Sequence, residues 1–275
     1  MLRDGSGTAS FGPQMSILYA SFKSPKSGLS AATRRLLLLI GAQVAIVPCA
    51  RAACIDPATL VKTTVSIYRN FNAEERKGTP GVVGIAGTGW FLSPRLLVTA
   101  AHVAEAMPLS STEWKDIEVW DDKAKTVVPS RIHSLAGPLS ERMALLHLRV
   151  PVAGADFLAV RREPLLPEEE VVAVAYPKRR LRFAGGRFVA YGSNDQFAGT
   201  ALMEIYEGDD RLVLDHGASG APVLDCKGRV VAVVSSILTQ TLNFGFRSVK
   251  VSTAWQTPNV ISMPADALTT LPLSE

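Results

Sequence analysis

A serine flanked by glycines is the feature of this chain whose residue types most clearly suggest chemistry. Ser219 lies within residues 217–222, which read Gly-Ala-Ser-Gly-Ala-Pro. Glycines let the backbone turn sharply and bring amide N–H groups close to a substrate carbonyl, where they stabilise a developing oxyanion. Far upstream, His102 follows the apolar segment 96–99, and a histidine can take the proton of a serine hydroxyl. The pair therefore predicts nucleophilic catalysis, with Ser219 as the nucleophile and His102 as the general base.

The segments that must position these two residues are short and strand-like. Apolar stretches are broken repeatedly by Gly, Pro, Asp and Asn, which favours an antiparallel all-β barrel or sandwich over βαβ units. Beyond the first 52 residues, the sequence predicts one helix, at residues 100–107. The predicted strands are residues 81–91, 96–99, 117–120, 126–132, 143–150, 171–176, 183–191, 202–206, 211–214, 222–224 and 230–235.

Two motifs in this order resemble the trypsin-like (chymotrypsin-fold) serine peptidases, most closely their bacterial secreted members. Residues 87–91 (Gly-Thr-Gly-Trp-Phe) and 98–102 (Val-Thr-Ala-Ala-His) are similar to the family's approach to its general base. Residues 217–224 are similar to its nucleophile loop and depart from G-x-S-G-G-P only at Ala221. The resemblance covers about residues 80–240. It implies an all-β fold of two antiparallel six-stranded barrels with the active site between them.

The resemblance and the composition together predict the domain limits. Residues 53–275 are expected to form the peptidase domain, with a first barrel at about 55–160 and a second at about 168–256. The proline-containing run 163–168 fits a linker between the barrels, and the C-terminal tail is predicted to be irregular.

The resemblance also implies roles for individual residues. Ser219 would attack the scissile carbonyl of a polypeptide substrate, His102 would transfer the proton, and the amides of Gly217 and Ser219 would form the oxyanion hole, with no cofactor and no metal required. The alternative fold for an activated serine is that of the α/β-hydrolases, which need a histidine after the serine in the chain. All four histidines precede Ser219, so chain order excludes that fold. They are His102, His133, His147 and His216.

The third member of the triad is not where the resemblance places it. The family's D-[IL]-A-L-L segment corresponds to residues 142–146, and Arg142 occupies the aspartate position. Glu141 is one residue early and could reach the site through a local irregularity. Asp121 or Asp122 could instead supply the carboxylate from another loop. A third account is a Ser-His dyad, which would make the protein a pseudopeptidase that binds peptides without cutting them. We favour a peptidase with Glu141 in the orienting role.

Substrate specificity has a weaker sequence signal. By the resemblance, Val213 lies at the base of the primary pocket, where an apolar residue predicts a preference for small or apolar side chains. Ser235 and Ser236 lie on the segment expected to pair with the substrate backbone and are assigned to the substrate pocket. His216 is interpreted as a surface residue near the cleft.

His133 and His147 lie in strand-like segments without metal-ligand spacing and are interpreted as structural.

The N-terminal 52 residues resemble an export signal. Arg34 and Arg35 precede residues 36–47, which are apolar except for Gln43, and Ala50-Arg51-Ala52 forms an A-x-A cleavage site. Twelve residues rise only about 18 Å as a helix, too short for a hydrocarbon core of about 30 Å. We therefore expect an exported protein, periplasmic or extracellular, with no membrane span after cleavage. The paired arginines fit both Sec and Tat export.

The charge and the cysteine content give information about binding partners and about disulfide formation. The formal net charge of +4 arises from the leader, which carries six basic residues and one acidic residue; the remainder has 23 basic and 24 acidic residues. This balance gives no support to nucleic-acid binding, and nothing in the sequence indicates an oligomeric state. Cleavage after Ala52 would leave Cys54 and Cys226, which could form one disulfide or stay unpaired.

Overall fold

Two closed antiparallel β-barrels of six strands each form the fold, as predicted. The computed structural model describes residues 54–271, except for 122–123, 138–140, 194, 196, 209–213, 238, 245–246 and 253–257.

The first barrel has the closed strand order β1-β2-β3-β6-β5-β4. Its strands are β1 (Thr64–Asn70), β2 (Gly84–Ser93), β3 (Leu96–Ala100), β4 (Lys115–Trp120), β5 (Lys125–Ala136) and β6 (Met143–Leu148).

The second barrel repeats the same topology, with the order β7-β8-β9-β14-β11-β10 closed on itself. Its strands are β7 (Glu170–Ala175), β8 (Arg182–Tyr191), β9 (Ala201–Tyr206), β10 (Pro222–Leu224), β11 (Val230–Ile237) and β14 (Val260–Pro264).

The predicted end of the second barrel at about residue 256 is wrong, because β14 lies in the segment predicted to be an irregular tail. β14 pairs with both β9 and β11 and closes the barrel. Val260 and Met263 are fully buried within it. Residues Ala265–Thr270 then form a 3-10 helix. Proline at the end of this short strand weakened the strand signal in the sequence.

Both faces of β7 are buried from Val171 to Ala175, which accounts for the uninterrupted apolar sequence of this stretch. Val171, Ala173 and Ala175 point into the core of the second barrel. Val174 points the other way and joins the apolar cluster that fills the first barrel. A strand buried on both sides needs apolar residues at every position, whereas a strand with one solvated face alternates.

Two short α-helices flank the first barrel. The helix predicted at residues 100–107 is present as α2 (Ala101–Ala106). The helix α1 (Ala73–Gly78) was not predicted. Its N-terminus is held by a capping box, in which the Asn72 side chain accepts from the Glu75 amide and the Glu75 carboxylate accepts from the Asn72 amide.

Beyond the barrels, β12 (Thr239–Phe244) and β13 (Arg247–Ser252) pair as an antiparallel hairpin. Several sequence predictions fall outside the described residues. These are the leader at 1–52, the pocket residue Val213, the alternative acid Asp122 and part of the predicted strand 211–214. Among the described residues, no helix is both long and apolar enough to cross a membrane.

A disulfide joins the first described residue to the second barrel. Cys54 and Cys226 are bonded, with their Cα atoms 5.0 Å apart and a sequence separation of 172. The sequence left open whether these thiols pair, since it carried no information on their distance. The bond closes a loop that contains the whole first barrel and the nucleophile segment.

Candidate active site

The side chain of Thr88 on β2 joins the two barrels beside the predicted nucleophile. Its hydroxyl donates to the carbonyl of Gly217 (2.7 Å) and accepts from the amide of Tyr176 (3.0 Å). Its backbone amide donates to the carbonyl of Ser219 (2.9 Å), and its own carbonyl accepts from the hydroxyl of Thr99 (2.7 Å). Thr88 is fully buried. The bonds to Gly217 and Ser219 therefore fix the serine loop against the first barrel, and the bond from Tyr176 ties the end of β7 to the same residue.

The glycine after the nucleophile is required by this close approach. Gly220 has φ +92°, a conformation that favours glycine. A Cβ atom at this position would overlap the carbonyl oxygen of Thr88 and the hydroxyl of Thr99. The Gly220 amide donates to Val234 (2.8 Å), whose amide donates to Ala221 (2.8 Å), so the loop is also tied to β11.

The amides assigned to the oxyanion hole are available. Gly217 has φ +97°. Within the loop, the amide of Ala218 donates to Asp215 (3.0 Å) and that of Ala221 donates to Ala218 (2.9 Å). Among the described residues, the Gly217 and Ser219 amides have no hydrogen-bond acceptor. The turn therefore leaves unpaired the two donors that an oxyanion would need.

A short chain of contacts connects the serine to a carboxylate. The hydroxyl of Ser219 donates to the carbonyl of Ser235 (2.9 Å). The hydroxyl of Ser235 in turn donates to Glu141, on the first barrel. The β11–β14 register shifts between Val234 and Ser236, so Ser235 is a bulge residue, and such residues are re-aimed relative to the strand. The bulge brings Ser235 between Ser219 and Glu141.

His102 lies in the first turn of α2 and is influenced by two carboxylates. Much of His102 is exposed to solvent, but the protein atoms packed around the ring still lower its pKa below the usual histidine value, because the charged form loses some solvation. The negative charges of Glu141 and Glu105 oppose this and raise the pKa. Glu141 is thus close enough to act on His102 and also contacts Ser235.

The Arg142 side chain does not take the place predicted for the triad carboxylate. The sequence raised the concern that a cation at the aspartate position would lie beside His102. Instead, the Arg142 guanidinium pairs with Glu105 at 3.4 Å, and both side chains are substantially exposed. The Arg142 carbonyl accepts from the amide of Ala101 (2.8 Å), which anchors the start of α2. The side chain that faces the serine loop is therefore that of the preceding residue, Glu141.

The alternative acid Asp121 lies elsewhere. Its carboxylate accepts from the amide of Ala124 (2.7 Å) in the β4–β5 turn. It lines a small cavity with Lys62 and Phe91 at that end of the first barrel.

Three other residues were predicted near the substrate: Ser235, Ser236 and His216. Ser235 is buried and its hydroxyl contacts Glu141, so its assignment to the substrate pocket stays a prediction that concerns the backbone of this segment. The sequence showed an unremarkable serine in a strand and gave no signal of the bulge. Ser236 is partly exposed on β11. The His216 side chain is 95% exposed beside Asp215.

His133 and His147 belong to an aromatic cluster on the first barrel. The His147 ring lies 5.4 Å from the Trp114 ring and 6.2 Å from that of His133, measured between centroids. Both residues lie on strands, β5 and β6, as predicted.

The family assignment rests on the match between these segments and known proteins. Residues 87–233 match the family described as the trypsin-like peptidase domain. The matched segment is just over half of the chain and includes His102, Glu141 and Ser219. The chain belongs to the trypsin-like peptidase family. A search of curated protein sequences found no match.

Solved structures of proteases share the fold of this trypsin-like peptidase. It is similar to the active form of the Rv3671c protease from M. tuberculosis, with a TM-score of 0.52, 17% identity, and coverage of 81% of this chain and 90% of that one. The inactive form gives a TM-score of 0.51 at 18% identity, covering 78% and 93%. The HtrA-type protease AlgW, solved with a tripeptide, gives 0.51 at 13% identity, covering 76% and 58%.

Replacing Thr88 by valine tests the junction between the barrels. Valine has nearly the same shape but no hydroxyl, so the Gly217 carbonyl and the Tyr176 amide each lose a buried partner. We expect Thr88→Val to lower the free energy of unfolding by about 2–4 kcal/mol, measured by urea denaturation.

Thr88→Ser is the matched control. It keeps the hydroxyl and loses only a methyl group, with an expected cost of about 1 kcal/mol. Equal losses in the two variants would show that packing, not the hydroxyl, holds the junction.

Proposed function

We propose that this trypsin-like peptidase is a serine endopeptidase in which Ser219 is the nucleophile, His102 the general base and Glu141 the orienting carboxylate. The observation that carries the proposal is the hydrogen bond from the Ser235 hydroxyl to Glu141, since the Ser235 carbonyl also accepts a hydrogen bond from the Ser219 hydroxyl. These contacts support an active site that includes a carboxylate, although Arg142 occupies the expected position.

The proposed reaction uses these groups in turn. Ser219 Oγ attacks the scissile carbonyl carbon while His102 takes the hydroxyl proton. The carbonyl oxygen becomes an oxyanion and accepts from the Gly217 and Ser219 amides. The carbon–nitrogen bond then breaks, and His102 gives its proton to the leaving amine. Water, deprotonated by His102, hydrolyses the acyl-enzyme and restores the serine.

The serine must change rotamer before attack. Its hydroxyl donates to the carbonyl of Ser235, whereas the reaction needs it to donate to His102. Catalytic hydrogen bonds often align only when substrate is bound.

Glu141 is expected to act through His102. A carboxylate near the imidazolium stabilises the charged form that arises when the serine proton is transferred. Its charge already opposes the effect of burial on the His102 pKa. Glutamate is one methylene longer than aspartate, which compensates for its position one residue earlier in the chain.

Labelling with a fluorophosphonate probe tests the nucleophile. We expect covalent labelling of the purified protein, its loss in Ser219→Ala, and a strong reduction in His102→Ala, because phosphonylation requires a hydroxyl activated by a base. The adduct is detected by intact-protein mass spectrometry. A folded wild-type protein that resists the probe would favour the peptide-binding pseudopeptidase.

The pH dependence of the labelling rate separates the two carboxylates near His102. Since burial lowers the His102 pKa, the neutral, active ring should persist below the pH at which an ordinary histidine is protonated. Glu141→Gln and Glu105→Gln each remove a charge that raises this pKa, so the acid limb of the profile should move to lower pH in both.

Only Glu141→Gln should also lower the plateau rate, by up to about 10⁴-fold. Glu105 pairs with Arg142 at the surface and serves as the matched control. Equal plateaus in the two variants would remove Glu141 from the orienting role.

We also propose that the protein is exported to the periplasm or the extracellular space. The leader supports this on sequence grounds, and the Cys54–Cys226 bond is consistent with it because structural disulfides persist in oxidising compartments.

N-terminal sequencing of the protein expressed with its leader in a bacterial host tests export. We expect the exported fraction to begin at Ala53, after cleavage behind Ala52. Bulky replacements at Ala50 and Ala52 should block processing. A mature protein that still contains Arg34 and Arg35 would contradict export with cleavage.

A further inference from the structure

The side chain of Arg179, in the turn after β7, crosses from the second barrel to the first. Its guanidinium carbon lies 4.8 Å from the ring centroid of Tyr68 and 4.3 Å from that of Trp120. A terminal nitrogen is 3.8 Å from the carboxylate of Glu118. A guanidinium between two aromatic faces and beside a carboxylate is held in place by cation–π and charge attraction.

The backbone of this turn adopts an unfavourable conformation. Within the 3-10 turn Pro177–Arg179, Lys178 has φ +50° and Arg179 has φ +62°. Side chains with a Cβ atom disfavour the left-handed region, and two consecutive residues there need support from their surroundings. The stacked Arg179 side chain is one such support.

The strained turn is bonded to the peptide that carries an oxyanion donor. The Lys178 amide donates to the carbonyl of His216 (2.9 Å). That carbonyl belongs to the same peptide unit as the Gly217 N–H. In a planar trans peptide the C=O and N–H point in opposite directions, so fixing one fixes the other. The bond from Lys178 therefore directs the Gly217 N–H away from the turn, where it has no acceptor among the described residues.

A salt bridge also holds the turn against the segment that precedes Gly217. The Lys178 ammonium lies 3.3 Å from Asp215, which is two residues before Gly217. Gly217 itself is close to the turn, since a Cβ atom on it would lie 3.0 Å from the Tyr176 carbonyl and 3.3 Å from the Lys178 nitrogen.

We propose that Arg179 is a positioning residue for the oxyanion hole. Stacked between Tyr68 and Trp120, it holds the left-handed turn whose Lys178 amide fixes the 216–217 peptide. The proposal rests on the function proposed above. In this proposal, the orientation of the Gly217 amide depends on Tyr68 and Trp120, which belong to the first barrel.

Alanine and glycine at position 179 form a matched pair for the test. Both lose the stacking, but glycine adopts φ +62° without strain. We expect Arg179→Ala to lower the maximal fluorophosphonate labelling rate by at least about tenfold and up to about 10²–10³-fold, the cost of one oxyanion donor. Arg179→Gly should retain most of the rate.

The probe concentration for half-maximal labelling should change little in either variant, because the oxyanion contact forms only as the bond forms.

Arg131→Ala is the control for loss of a cation–π contact as such. Its guanidinium lies 4.8 Å from the Trp114 ring, the same distance as Arg179 from Tyr68, but at the end of the first barrel away from His102. It should label at the wild-type rate. Trp120→Leu removes the stack from the other side and replaces an exposed ring. Trp120→Leu should lower the labelling rate, as Arg179→Ala does, and it tests the proposal if Arg179→Ala fails to fold.

Two results would overturn the proposal: labelling of Arg179→Ala and Trp120→Leu at the wild-type rate, or equal losses in Arg179→Ala and Arg179→Gly.

If the wild-type protein itself is not labelled, the proposed function fails, and hydrogen exchange then decides the positioning role separately. Exchange of the Lys178 amide should be faster in Arg179→Ala than in wild type or Arg131→Ala. Unchanged exchange would contradict the role of Arg179.

Discussion

The Thr88 hydroxyl is the contact on which the placement of the candidate site depends. Each barrel is closed, so neither offers a free sheet edge to the other, and the two cannot align by extending a ladder. They meet through side-chain packing and a few specific hydrogen bonds. Thr88 both donates and accepts across this boundary, within a buried setting where an unmet partner is costly.

Two local irregularities bring the Glu141 carboxylate into contact with Ser235. The chain carries Glu141 one residue before the expected acid, and the β-bulge at Ser235 turns that serine towards it. The cation that occupies the family position, Arg142, is directed to solvent by its pair with Glu105. The local backbone, not the residue number, decides which side chain faces the cleft.

Much of the architecture was readable from sequence because short apolar segments with turn residues between them carry strong local signals. β10 was predicted with its observed bounds, 222–224. β14 was missed because it is short and ends in proline. α1 was missed although Asn72 and Glu75 have the spacing of a capping box, a signal that could have been found.

The candidate site was only partly predictable. Ser219, His102 and the glycines have local motifs, whereas the contacts of Thr88, Ser235 and Arg179 join residues far apart in sequence. No spacing rule encodes a bulge or a stacked guanidinium, because both depend on what the other barrel presents.

The outward pairing of Arg142 has a consequence for how proteins of this kind are classified. Catalytic competence is commonly judged by the identity of one alignment column, and that column here holds a base where an acid is expected. By that criterion the chain would be counted among inactive homologues. In the function proposed for this chain, the carboxylate of the preceding residue, Glu141, takes the role that this column assigns to an acid. Surveys of degenerate peptidases that score the column alone would count such a chain as inactive.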